Sequence, residues 1–273
     1  MIGFGVHYIL SMTILFLFLI MGVFLGLVGA GGSILSIPIL TYGVGMPMVK
    51  ASAFSFLIVM LLAIIALIQV RATLSLKEYL PFALPTLIAV MVVRAWLLPV
   101  INMQMGMHFL QRMLEVLLAL VMLGAAFSLF KGHHDHLQAK PWPYVYYFMV
   151  AFFLGLLLGM VGAGGGFLLI PLLVYSGYFD LSRAISVSYL LIALNSLIAF
   201  LSDYHDFSQA EWLALAGYVV IGLLGMQIGL YLRVRVDVVW VSRILALILL
   251  LNSVIISLKL GIGFFYDSDK NFF

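Results

Sequence analysis

The sequence predicts an all-α polytopic membrane protein of two inverted repeats. Each repeat holds four long transmembrane helices plus a short broken or re-entrant helix after a Gly-rich turn. Three observations carry this reading. First, the 273 residues are 66% hydrophobic and only 8% charged, with a mean hydropathy of +1.26; a water-facing surface needs far more charge. Second, the apolar residues fall in runs of about 20, enough for a helix to cross a bilayer, without the alternation of a transmembrane barrel. Third, Gly26-Leu-Val-Gly-Ala-Gly-Gly-Ser-Ile-Leu-Ser-Ile-Pro38 recurs 133 residues later as Gly159-Met-Val-Gly-Ala-Gly-Gly-Gly-Phe-Leu-Leu-Ile-Pro171.

Taken in order, the first repeat (1–130) opens with a span from Tyr8 to Val28. It lacks a basic flank and runs straight into the glycines, so it reads as a retained span and not a cleaved signal. The glycine turn leads to a short apolar piece, Ile34 to Tyr42, and a connector, Gly43 to Pro47. Lys50 to Val70 is the next span, followed by a basic loop, Arg71 to Lys77. Tyr79 to Pro99 is a span with Pro81 and Pro85 near its start; Asn102 to His108 is a polar connector, and Gln111 to Phe130 closes the repeat. Residues 131–143 form a polar linker containing His133, His134, Asp135 and His136. The second repeat (144–273) follows the same order. Its pieces are Tyr144 to Val161, the glycine turn, Phe167 to Tyr175, Arg183 to Leu201, Trp212 to Leu232 and Ile244 to Lys259. The tail after Gly261 is polar enough to leave the membrane. At the same offset, Lys50 matches Arg183, Ser55 matches Ser188 and Arg94 matches Gln227.

Loop charge sets the topology. Arg71 and Lys77 make one connector basic in repeat one, whereas its counterpart carries Asp203, Asp206 and Glu211. The next connector reverses the contrast, with Arg233 and Arg235 in repeat two. Basic loops stay cytoplasmic. Corresponding loops therefore face opposite sides, the repeats are inverted, and Lys50 falls outside.

Several residues could carry function. Glycines let the backbone turn sharply and leave amides uncovered. The short pieces after them would present helix N-termini, which suit anions, and inverted-repeat transporters place such broken helices at midplane. The alternative is that the glycines only permit tight helix packing. Gly29, Gly31, Gly32 and Ser33 in the first copy, and Gly162, Gly164, Gly165 and Gly166 in the second, are the candidates. Ser55 and Ser188 could donate to an anion or bond their own helix. Arg94 is costly inside an apolar span, so it either faces a partner or pathway or snorkels to the interface. Asn195 and Gln227 are uncharged donors within spans. Glu115 lies three residues after Arg112 and reads as a helical ion pair, with a weaker role in proton coupling.

The enzyme reading finds no paired carboxylates within spans and no metalloprotease motif. The zero cysteine count removes thiol chemistry. No cofactor is implied, and the net charge of +3 gives no reason to invoke nucleic acid. The His133–His136 loop leaves a metal-handling or assembly protein as one alternative and a passive anion channel as another.

The doubled glycine motif, the Lys50-Ala51 to Ser55 and Arg183-Ala184 to Ser188 segments, and the glycine-spaced Gly222 to Gly229 stretch resemble the TauE/SafE sulfite exporter family, also called the toluene-sulfonate uptake permease family. The resemblance spans essentially the whole chain. It implies a multi-pass cell-membrane transporter of small sulfur-containing anions such as sulfite or organosulfonates. Substrate would sit between the two glycine hairpins, with coupling to protons or sodium and assembly into homo-oligomers left open. Arg94 departs from a small or uncharged residue there.

Overall fold

In a computed structural model, the protein is described over residues 2–29, 31–70, 76–131, 143–162, 166–202, 209–233 and 235–270, and every regular element is helical. Helix α1 (Ile2–Val28) is followed by a short helix, α2, over residues 31–43. It opens as a 3-10 turn (Gly31–Leu35), passes through Ser36–Pro38 and widens to a π turn (Ile39–Gly43). Then come α3 (Met48–Val70), α4 (Leu76–Val92), a π turn (Val93–Leu97) and α5 (Leu98–Lys131). The second half holds α6 (Tyr144–Val161), α7 (Gly166–Tyr175), α8 (Leu181–Ser202), α9 (Gln209–Leu232) and α10 (Val238–Lys270).

Among the described residues, six helices are long and apolar enough to cross a membrane. One of them, Tyr79–Phe130, is 52 residues long. At 1.5 Å per residue it would far exceed a hydrocarbon core of about 30 Å. It is broken at Gly106, whose φ of 81° and ψ of 163° leave the helical region, inside the connector expected at Asn102 to His108. The final helix runs on to Lys270, where the sequence suggested only a polar tail. The outer surface is apolar: Trp96 is 76% exposed and Leu213 77%. Meanwhile Arg94, Asn195 and a set of serines lie inside. This is the distribution that a lipid solvent selects.

The helices pair across the two halves. The principal partners are α1 with α9, α4 with α6, α3 with α8 and α5 with α10. Exchanging the halves converts the first pair into the second and returns the last two to themselves. Glycines make the close approaches. A Cβ on Gly22 would lie 2.9 Å from Met226 N, and one on Gly26 2.7 Å from Leu230 N, so α1 and α9 run parallel with backbones nearly touching. Likewise Gly155 meets Thr86 and Ala89, and Gly159 meets Val90 and Val93, so α4 and α6 are parallel. For these glycines, and for Gly225 and Gly229 opposite them on α9, tight packing is the role. Helices α5 and α10 run antiparallel. Ser253 donates to Ala119 O (2.9 Å), and earlier on α5 Glu115 senses the charge of Lys259, later on α10. At the start of α3, Lys50 forms an ion pair with Glu211 at the start of α9.

Candidate functional site

Both glycine turns open on a left-handed glycine. Gly29 has φ 87° and Gly162 φ 83°, left-handed values that only glycine adopts without strain. Gly162 closes α6 by donating its N–H to Leu158 O (3.1 Å). Gly31 and Gly32 form the first 3-10 turn of α2, and Gly166 opens α7. Gly164 and Gly165 lie outside the described residues, as does the His133–His136 loop.

Each turn docks on the other half. A Cβ on Gly29 would stand 3.0 Å from Ile185 of α8 and 3.1 Å from Ile170 of α7. One on Gly162 would stand 2.5 Å from the Ser52 Cβ of α3 and 3.1 Å from Arg94 Nη2. Ile185 and Ser52 are themselves 133 residues apart, so the sequence repeat persists as a repeat of contacts.

Arg94 does not snorkel. It is 1% exposed, its Nε donates to Gly159 O (2.5 Å) and its Nη1 to Ser52 Oγ (2.9 Å). Its guanidinium carbon lies 4.6 Å from the centre of the Phe56 ring. The charge thus sits against the C-terminal carbonyl end of α6, where a cation is favoured. Arg94 lies in the π turn at Val93–Leu97 that joins α4 to α5, on the buried face that runs through Phe82, Thr86 and Val90. Arg94 turns inward, whereas its counterpart Gln227 is exposed and stands apart from the site.

The first half also gathers serines. Ser36 Oγ donates to Ser33 O (2.7 Å) and lies 2.5 Å from Ser55 Oγ, whose hydroxyl donates to it in that arrangement. Ser52 and Ser55 share one face of α3. A buried polar strip therefore runs from Arg94 through Ser52 and Ser55 to Ser36 and Ser33 on α2. Ser188 instead bonds Ile185 O on its own helix (2.7 Å), because Leu169 stands where Ser36 would be. Asn195, further along α8, is 2% exposed.

Two members escaped the sequence reading. Tyr189 is buried and donates its hydroxyl to Leu25 O near the end of α1 (2.9 Å). It occupies the position matching Phe56. The helix end before each glycine turn is thus held from the opposite half, α1 by a tyrosine hydroxyl and α6 by an arginine stacked on a phenylalanine. Comparing the copies at fixed offset would have exposed this pair, and also Ser36 against Leu169. Among the described residues no cluster of three or more His, Cys, Asp or Glu is arranged to hold a metal.

No curated protein and no solved structure matches the chain. A family model described as sulfite exporter TauE/SafE matches residues 14–256, from within α1 to within α10. That match takes in both glycine turns, Arg94 and the serine strip. The chain therefore belongs to the sulfite exporter TauE/SafE family of membrane anion transporters.

Proposed function

We propose that the protein moves a small sulfur-containing anion, sulfite or an organosulfonate, across the cell membrane by alternating access. The carrying observation is Arg94, a fully buried cation at the second glycine turn, hydrogen-bonded to Ser52 and Gly159. A guanidinium presents a forked donor set suited to a sulfonate or sulfite oxygen pair. Ser52, Ser55 and Ser36 supply hydroxyls beside it. The substrate binds between the two glycine turns, with Gly29, Gly31, Gly32 and Ser33 on one side. Gly162, Gly166 and Ser188 lie on the other, and the sequence assigns Gly164 and Gly165, outside the described residues, to the same turn. Gln227, exposed on α9, is left out of this set.

In this reading residues 1–130 and 144–273 are inverted repeats joined by the 131–143 linker, and one half rocks against the other. The helix directions support the inversion. Lys50 and Glu211 bring the starts of α3 and α9 together, α9 follows α8 by a short connector, and α3 therefore opposes α8 in direction. Helices α1 and α6 follow α9 and α4, which are opposed in the same way.

Counterflow in proteoliposomes tests the function. Sulfite, thiosulfate, sulfoacetate and taurine are compared with acetate. Saturable exchange of a sulfur anion, at least about tenfold faster than acetate and lost in Arg94→Gln, is the expected result; about 1.4 kcal/mol separates such rates. Exchange of none of them, or exchange indifferent to Arg94→Gln, overturns the reading.

A further inference from the structure

We propose that Asn195 and Ser196 of α8 form a sodium site, so that the anion travels with a monovalent cation; this rests on the transport reading above. Asn195 is 2% exposed and Ser196 0%. Asn195 Oδ1, Asn195 Nδ2 and Ser196 Oγ are all buried without a hydrogen-bond partner. Polar atoms taken out of water without partners are costly, and native proteins retain them where something binds. The fold does not demand them. At the matching positions of α3 stand Leu62 and Ala63, both fully buried and apolar. Half two has thus given up apolar packing for three unpaired polar atoms at one place.

The chemistry selects the occupant. Asn195 Oδ1 and Ser196 Oγ are neutral, hard oxygens of the kind alkali and alkaline-earth cations prefer. A divalent ion is usually held by carboxylates, and a membrane proton relay uses Asp, Glu or His, the last of which α3, α4, α7 and α8 all lack. Helix α8 contains no Asp or Glu, nor do α3 and α7, which pack on it. On α4, also packed there, Glu78 falls in the first turn, and the π turn that follows α4 and also packs on α8 carries Arg94. Neutral ligands suffice for sodium when the substrate brings the negative charge. Asn195 follows Ser188 by seven residues, two turns or about 10 Å along one face of α8. Its carbonyl oxygen can face the cation while its amide N–H groups face the anion, which accounts for both ends of the side chain being unpaired.

Two measurements on the full chain in detergent and in liposomes test this. With sulfite present throughout, sodium chloride should raise the melting temperature over equal potassium or choline chloride, and labelled sodium should bind saturably. Both effects should vanish in Asn195→Leu and in Ser196→Ala and survive in Ser196→Thr, which keeps the hydroxyl. A tenfold inward sodium gradient should concentrate sulfite up to about tenfold for one-to-one coupling, the same 1.4 kcal/mol on either side. Sodium binding does not depend on transport, so absent counterflow with intact sodium binding would sink the transport reading alone. Absence of sodium-specific binding in the native chain, its persistence in Ser196→Ala, or uptake driven by a pH gradient and indifferent to sodium would overturn the site.

Discussion

Gly155→Ala isolates the packing on which the Arg94 site rests. A Cβ there would stand 2.7 Å from Ala89 Cβ, 2.7 Å from Thr86 O and 2.8 Å from Thr86 Cα. Non-bonded carbon atoms rest at about 3.5–4.0 Å, so α4 and α6 must part by at least about 0.8 Å. Two of the three obstacles are backbone or next to it, so no rotamer change relieves them. Overpacking of this kind costs about 1–3 kcal/mol, offset by roughly 1 kcal/mol because alanine is the better helix former. Gly217→Ala is the control. Gly217 lies within α9 with nothing within 4 Å of its Cβ position, so the mutant should keep the propensity gain alone. The pair should therefore differ by about 1–3 kcal/mol in reversible unfolding by denaturing detergent. The same separation draws Arg94, in the π turn just after α4, away from Gly159 O on α6, so anion exchange should fall in Gly155→Ala and stay unchanged in Gly217→Ala. Equal stability of the two mutants would refute the close packing of α4 on α6.

Three further outcomes follow from the same contacts. Arg94→Lys keeps the charge but loses the fork that reaches Gly159 O and Ser52 together; the apparent substrate KM should rise, and exchange with normal KM would show that only charge matters. Tyr189→Phe leaves the buried Leu25 carbonyl without its hydroxyl donor, and should cost about 1–3 kcal/mol in the same unfolding assay; no loss would mean that another donor serves Leu25. Cysteines placed at Lys50 and Glu211 should crosslink with a short reagent and react from the outer side only, in a chain with no native cysteine to interfere; labelling of the two positions from opposite sides would exclude the inverted arrangement.

Much of this architecture was legible from the chain alone. Lipid imposes long apolar helices, and apolar composition with so few charges shows them. The doubled glycine motif located both turns, since a left-handed backbone tolerates glycine and little else. Even the placement of Lys50 agrees with its ion pair to Glu211, because loop charge reflects which ends share a side.

Which way a polar side chain points was beyond one-dimensional reading. Arg94 and Gln227 occupy matching positions, yet one is buried and the other exposed. Arg94 is held inward by Gly159 O and Ser52 Oγ, partners on two other helices that the residue type alone does not announce. Ser55 and Ser188 match as well, yet only Ser55 meets a partner from another helix, because Ser36 stands opposite it and Leu169 does not. The glycines divide by the same logic. Gly29 and Gly162 bend the chain, whereas Gly22, Gly26, Gly155 and Gly159 make room for a neighbouring backbone. Sequence determines which residues are free to turn or to carry charge in lipid. Only the packing of the helices decides which of them face each other, because that choice is made by contacts between residues far apart in sequence, 65 positions for Arg94 and Gly159 and 164 for Tyr189 and Leu25.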